Sequence, residues 1–180
     1  MKKIGIVTDS HSSISQEEAK KLGIFVLPMP FYIDGECYYE SVTLSRELFF
    51  EKLTSGADIS TSQPSPTAVM EIWDKALEEY EKILYMPISS GLSSSYNTAM
   101  MLAQEEKYEG RVLVVDDGQV AAPLHQMILD TLDMIEKGYE AEHIRELLEK
   151  AGDRMMIYIA LQTLEFLKKG GRVTPAAAAL

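Results

Sequence analysis

Four short runs made almost wholly of apolar residues limit what this chain can become. Ile4-Gly5-Ile6-Val7 ends in Thr8-Asp9-Ser10, and Ile24-Phe25-Val26-Leu27 is stopped by Pro28 and Pro30. Ile83-Leu84-Tyr85-Met86-Pro87-Ile88 runs into Ser89-Ser90-Gly91, and Val112-Leu113-Val114-Val115 into Asp116-Asp117-Gly118. Such runs are too short for helices and show no polar alternation, which predicts strands buried on both faces. Strands of that kind sit in parallel sheets with helices packed on either side.

The segments between the runs supply those helices. Ser15 followed by Glu18 is a capping-box pattern, closed at Gly23. Ser65-Pro66 pairs an N-cap with a first-turn proline, and Val69, Ile72, Trp73, Ala76 and Leu77 fall on one face, which makes Trp73 a core residue. Two more helices follow, one with Leu124, Ile128, Leu132 and Ile135 and one with Ile144, Leu147, Leu148 and Ala151. One stretch breaks the rhythm. Phe31-Tyr32-Ile33, Asp34-Gly35 and Cys37-Tyr38-Tyr39 predict a β-hairpin. After it, Ser45 caps a helix through Leu48, Phe49 and Leu53, and Ser60–Ser65 is a polar loop. Met155–Ala160 is expected as a strand and Thr163–Lys169 as a short helix stopped by Gly170-Gly171. The expectation is an α/β fold: a parallel-sheet N-terminal domain over residues 1–153 with an inserted hairpin, then the incomplete start of a second α/β domain over 154–180.

Charge and composition remove several functions. Seventeen Lys and Arg against 28 Asp and Glu give a net charge of −11, which opposes nucleic-acid binding. A single cysteine, Cys37, excludes an internal disulfide, and no Cys/His spacing suits zinc. Met1–Ser10 lacks the apolar core of a signal peptide, and no apolar run approaches the roughly 20 residues of a membrane span. A cytoplasmic protein is expected. The nucleophile elbow, the P-loop and the dinucleotide glycine motif are all absent. Asp9, Ser10, His11 and Asp116 at strand ends leave open an enzyme acting on a small phosphorylated or hydroxylated substrate. His125 and His143 fall in helix patterns, so His11 is the histidine retained for a site.

The remaining signal is a pair of hydroxyl loops, Thr61-Ser62-Gln63-Pro64-Ser65 and Ser89-Ser90-Gly91-Leu92-Ser93-Ser94-Ser95. The second lies between a strand and a helix, where unpaired N–H groups and the helix dipole favour an anion, although serines there also serve as simple caps. Thr61, Ser62 and Ser93 could donate to a carboxylate at roughly 1.5–3 kcal/mol for each hydrogen bond to a charged group. A buried methylene is worth about 0.8 kcal/mol, so the tail of an amphiphile would supply affinity while the hydroxyls set its direction.

In order along the chain, these motifs resemble the DegV family of bacterial fatty-acid-binding proteins. The landmarks are Ile6-Val7-Thr8-Asp9-Ser10, Leu44-Ser45, Thr61-Ser62-Gln63-Pro64-Ser65, Ile88-Ser89-Ser90-Gly91-Leu92-Ser93, Val114-Val115-Asp116, and Thr163-Leu164-Glu165 through Gly170-Gly171-Arg172-Val173. The resemblance implies a two-domain protein holding a long-chain fatty acid between its domains. It also implies delivery of that acid to a fatty acid kinase for phospholipid synthesis, with transient contact at a membrane surface. On that basis the protein is a carrier rather than an enzyme and needs neither metal nor cofactor. Thr61 and Ser93 map to the carboxylate contacts, with Ser62 adjoining and Arg172 beside the site or a docking surface. Family members are longer, so much of the second domain is expected to be absent. Asp117, Ala122 and Leu124 depart from the pattern after Asp116, as do Pro175 and the alanines after Arg172.

Overall fold

The first strand explains why the apolar runs form a sheet. In the computed structural model, which describes residues 2–40 and 42–173, β1 (Lys2–Asp9) sends Ile4 and Ile6 to one face and Val7 to the other. Both faces are covered by helices, so alternation of the side chains produces no alternation of polarity. β1 pairs in parallel with β2 (Phe25–Leu27) on one side and with β6 (Tyr80–Met86) on the other, and β6 pairs with β7 (Val112–Val114). The order is β2-β1-β6-β7.

One face packs Ile4, Ile6, Val26, Leu84, Met86 and Leu113 against α1 (Gln16–Leu22), α5 (Ala121–Glu136) and α6 (Ala141–Gly152). The other packs Val7, Leu27, Ile83, Tyr85, Val112 and Val114 against α3 (Pro66–Glu79) and α4 (Ser95–Leu102). Trp73 lies in this second core, fully buried, with Tyr85 and Tyr108 edge-on to its ring at 5.3 and 5.2 Å. The capping patterns perform as expected: the Ser15, Ser45 and Ser65 hydroxyls accept the N–H groups of Glu18, Leu48 and Ala68, opening α1, α2 (Arg46–Thr54) and α3.

The hairpin is part of a larger unit. β3 (Pro30–Ile33) and β4 (Glu36–Tyr39) join through Asp34-Gly35, whose φ angles of 51° and 85° are the left-handed values that this two-residue turn requires. On the opposite edge of β3 lies β5 (Ile59–Thr61), giving an antiparallel sheet ordered β4-β3-β5. The start of the expected 60–65 loop is therefore a strand. Its polar side chains conceal it, because pairing with a free edge needs only backbone groups.

Beyond α6 the expected strand does not form. Residues 155–160 adopt neither helix nor strand, since no other strand among the described residues lies beside them to complete a ladder. α7 (Glu165–Lys169) does form and ends at Gly170. Pro175 and the closing alanines of the expected second domain lie outside the described residues. Among the described residues, no helix is long and apolar enough to cross a membrane.

Candidate functional site

Because all four strands of the main sheet run the same way, their C-terminal ends share one edge, the usual ligand edge of an α/β sheet. Asp9 organises it. Its buried carboxylate accepts the His11 N–H on Oδ1 at 2.9 Å and the Ile88 N–H on Oδ2 at 2.8 Å. One side chain thus ties the turn after β1, a single 3-10 turn at Ser10–Ser12, to the start of the serine loop after β6. The Asp116 Oδ1 atom accepts N–H groups from Ser90 and Gly118, at 3.3 and 3.2 Å, and the Gln119 carbonyl accepts the Ser89 N–H at 2.9 Å. Both carboxylates considered for an enzyme are therefore engaged in holding loop amides.

Ser93 stands where this loop enters α4. Its Oγ accepts the Ser95 N–H at 3.2 Å and lies 2.8 Å from the Ser95 Oγ. Either hydroxyl of this pair can be the donor; if Ser95 donates, the Ser93 hydrogen is free for another acceptor. Ser94, the N-cap position, makes no side-chain cap bond.

Thr61 and Ser62 part company. Residues opposite each other in an antiparallel ladder share a face, so Thr61 joins Phe31 and Tyr38, while Ser60 joins Tyr32 and Cys37. The small sheet accordingly separates two cavities. The smaller, about 510 Å³, is lined by Thr61 and Arg172 together with Phe49, Leu53, Ile59, Phe166 and Lys169, and Ser60 also reaches it from the strand. The larger, about 850 Å³, has Ser62, Pro30, Tyr32, Cys37 and Tyr39 on the opposite face of the same sheet, with Ile72 among its other walls. The Ser62 hydroxyl donates to the Gln63 carbonyl at 3.1 Å.

Arg172 links the first cavity to the serine loop. Its Nε donates to the Leu92 carbonyl at 3.2 Å and its Nη1 to the Gly170 carbonyl, and among the described residues its other guanidinium donors take no partner. A second link, from the Thr98 hydroxyl to Gln63 Oε1 at 3.1 Å, joins α4 to the Thr61-Ser62 segment. Lys169 pairs with Asp58, fastening α7 beside β5. The structure therefore lines one cavity with Thr61 and Arg172 and the other with Ser62, and Arg172 bonds to the residue before Ser93, which is not among the residues lining either cavity. Sequence reasoning did not identify Phe49, Ile59, Phe166 and Lys169 as cavity walls. Only the apolar side chains carried any signal, and they read as ordinary packing.

Two ionisable groups at this edge are shifted. Burial works against the proton of His11, but the Asp9 carboxylate, aided by Glu40, outweighs both burial and the Arg172 guanidinium and raises its pKa above 6.5. His11 Nδ1 lies 3.3 Å from Asp9 Oδ1, an ion pair when the ring is protonated. Burial lifts the Asp117 carboxyl from 3.8 to about 6, partly offset by the Gln119 N–H on Oδ1, with Asp116 and Asp9 adding to the rise. Among the described residues, Asp117 Oδ2 and Gln119 Oε1 are buried without a hydrogen-bond partner. Among the described residues, no group of three His, Cys, Asp or Glu is placed to hold a metal ion.

The same fold occurs in known proteins. A DegV domain-containing protein of Deinococcus radiodurans is 34% identical over 178 residues, covering 98% of this chain and 63% of the relative. The structure of a fatty-acid-binding DegV family protein from Thermus thermophilus superposes with a TM-score of 0.87 at 34% identity, over 99% of this chain and 63% of that one. A stearic-acid-binding protein from Eubacterium ventriosum gives a TM-score of 0.82 at 25% identity, over 98% and 64%. The chain thus spans about three fifths of the length of the relatives it matches. Residues 3–180 match the model of the DegV family, described as uncharacterised proteins, and together with the shared fold this match makes the chain a member of the DegV family.

Proposed function

We propose that this protein binds a long-chain fatty acid and acts as a carrier, presenting the carboxyl group to a fatty acid kinase. The observation that carries the reading is the 510 Å³ cavity, where the Thr61 hydroxyl and the Arg172 guanidinium share one wall system with Phe49, Leu53, Ile59 and Phe166. Its volume lies within the roughly 300–1,000 Å³ of small-molecule sites. A cation and a hydroxyl beside an apolar lining suit an anionic head with an alkyl tail. Thr61, Ser93 and Arg172 hold the carboxylate, while Ser62 contributes its N–H to the Pro30 carbonyl at 3.5 Å, continuing the β3–β5 contact. No cofactor or metal takes part in this reading. The fatty-acid-binding relatives from Thermus thermophilus and Eubacterium ventriosum support it. The carrier works in the cytoplasm, with brief contact at a membrane surface to collect or deliver lipid.

Lipid extraction and mass spectrometry of the purified protein test the reading. A copurifying fatty acid, or uptake of added palmitate, is the expected result; protein that stays empty and takes up neither palmitate nor oleate refutes it. The double substitution Thr61→Ala, Ser93→Ala removes two donors to a charged group and should weaken palmitate binding about tenfold or more. Binding of the methyl ester should be little changed. Equal losses for acid and ester would remove the head-group assignment.

A further inference from the structure

We infer that the larger cavity is a second ligand site, taking a single-chain fatty acid as its anion, with the head at Lys20 and Lys75 and the tail running toward the hairpin. The inference goes beyond the reading of the smaller cavity and does not depend on it. At about 850 Å³ the space lies within the roughly 300–1,000 Å³ of small-molecule sites. Its polarity follows from the topology. α1 leads into the amino end of β2, and α3 leads into the amino end of β6. Lys20, in the last turn of α1, and Lys75, near the end of α3, therefore lie toward one end of the cavity, with Phe25 at the start of β2. Tyr32 of the hairpin, which follows the carboxyl end of β2, and Pro64, just ahead of α3, lie toward the other.

The two lysines are uncommitted in a chain whose net charge is −11. Among the described residues neither is in an ion pair, whereas Lys21, beside Lys20, is held by Glu17, and Asp74, beside Lys75, is held by Lys107. Glu71 also lines the cavity, so its walls carry two positive charges against one negative, which matches a monoanion such as a carboxylate. Exposed lysines gain little from one carboxylate, so the tail supplies most of the affinity and the lysines set its direction. An extended peptide is the other natural occupant of a groove beside an edge strand, and β2 is an edge of the main sheet. Its Val26 carbonyl, however, already accepts Gln16 Nε2 at 3.0 Å, which removes an acceptor that an added strand would use. An alkyl tail requires no backbone partner.

The cavity contains its own reporter. Cys37, the single cysteine of the chain, is exposed, lines this cavity and is not among the walls of the smaller one. Alkylation of Cys37 by iodoacetamide in the lipid-free chain should slow about fivefold or more at saturating palmitate. Lys20→Glu, Lys75→Glu should require about tenfold more palmitate for the same protection, and Lys20→Arg, Lys75→Arg should behave as the parent. Thr61→Ala, Ser93→Ala, directed at the smaller cavity, should leave the protection unchanged. A Cys37 rate unmoved by palmitate, protection undiminished in Lys20→Glu, Lys75→Glu, or protection lost in Thr61→Ala, Ser93→Ala each overturns the inference. Counting bound palmitate by native mass spectrometry separates the two sites. Two per chain, falling to one in Lys20→Glu, Lys75→Glu, is the expected result. A single palmitate that protects Cys37 refutes the reading of the smaller cavity and upholds this one; a single palmitate that leaves Cys37 reactive does the reverse.

Discussion

Asp117 shows how much one buried atom can matter. Its Oδ1 is used by the Gln119 N–H, its Oδ2 has no donor, and the residue is only 1% exposed. A carboxyl whose folded-state pKa is raised holds its proton in the native state over a range where the unfolded chain has lost it. Stability therefore falls as pH rises from about 4 through about 6, and the cost of ionisation is fully present above that. Asp117→Asn keeps an acceptor for the Gln119 N–H and brings amide donors near the unpartnered Gln119 Oε1. It should stabilise the protein by about 2 kcal/mol near neutral pH and remove this part of the pH dependence. Urea unfolding of both proteins at about pH 5 and about pH 7.5 measures the difference. The sequence singled out Asp117 as a departure from the family pattern but not as a buried group; its burial depends on α6 packing over the loop, which no local motif records.

Elements meet here through close backbone contacts as well as side chains. At the end of α6, a Cβ on Gly152 would lie 2.1 Å from the Asp117 carbonyl oxygen, closer than two backbones can accommodate. Gly152→Ala should cost about 3 kcal/mol and loosen the 116–119 loop that clamps Ser89 and Ser90. A lowered midpoint in thermal unfolding, with faster amide exchange at Ser89 and Ser90, is the expected outcome. This contact also bounds what could be read in advance. Gly152 was legible as a helix end and the β-α-β alternation gave the main sheet, because apolar periodicity and caps are local. β5 was not legible, since Ile59-Ser60-Thr61 has no apolar pattern and exists as a strand only beside β3. The pairing of Lys169 with Asp58 was equally hidden, because it joins residues 111 positions apart.

At the scale of the molecule, both cores are built between Ile4 and Ala151, while Met155, Met156, Tyr158, Ile159, Leu161, Leu164 and Phe166 expose large apolar surface. Residues 1–153 should accordingly fold as a unit, with a melting temperature within about 3 °C of the whole chain and two-state urea unfolding. A molten form with lost near-ultraviolet dichroism would show that the later segment is needed for the core. Thr61 and Ser62 were assigned to one pocket because a linear motif carries no faces, and the partition between two cavities appears only when β3 and β5 pair. That pairing has a fixed phase. The Asp34 N–H donates to the Asp58 carbonyl at 2.8 Å and the Asp58 N–H returns to Asp34 Oδ1 at 2.9 Å, just ahead of the strand. A slip of one position would turn Thr61 to the opposite face of the small sheet without altering the residue. The turn residue Asp34, outside both cavities, thus sets the address of the threonine, and ligand preference in this fold can change by re-phasing a strand instead of replacing a contact.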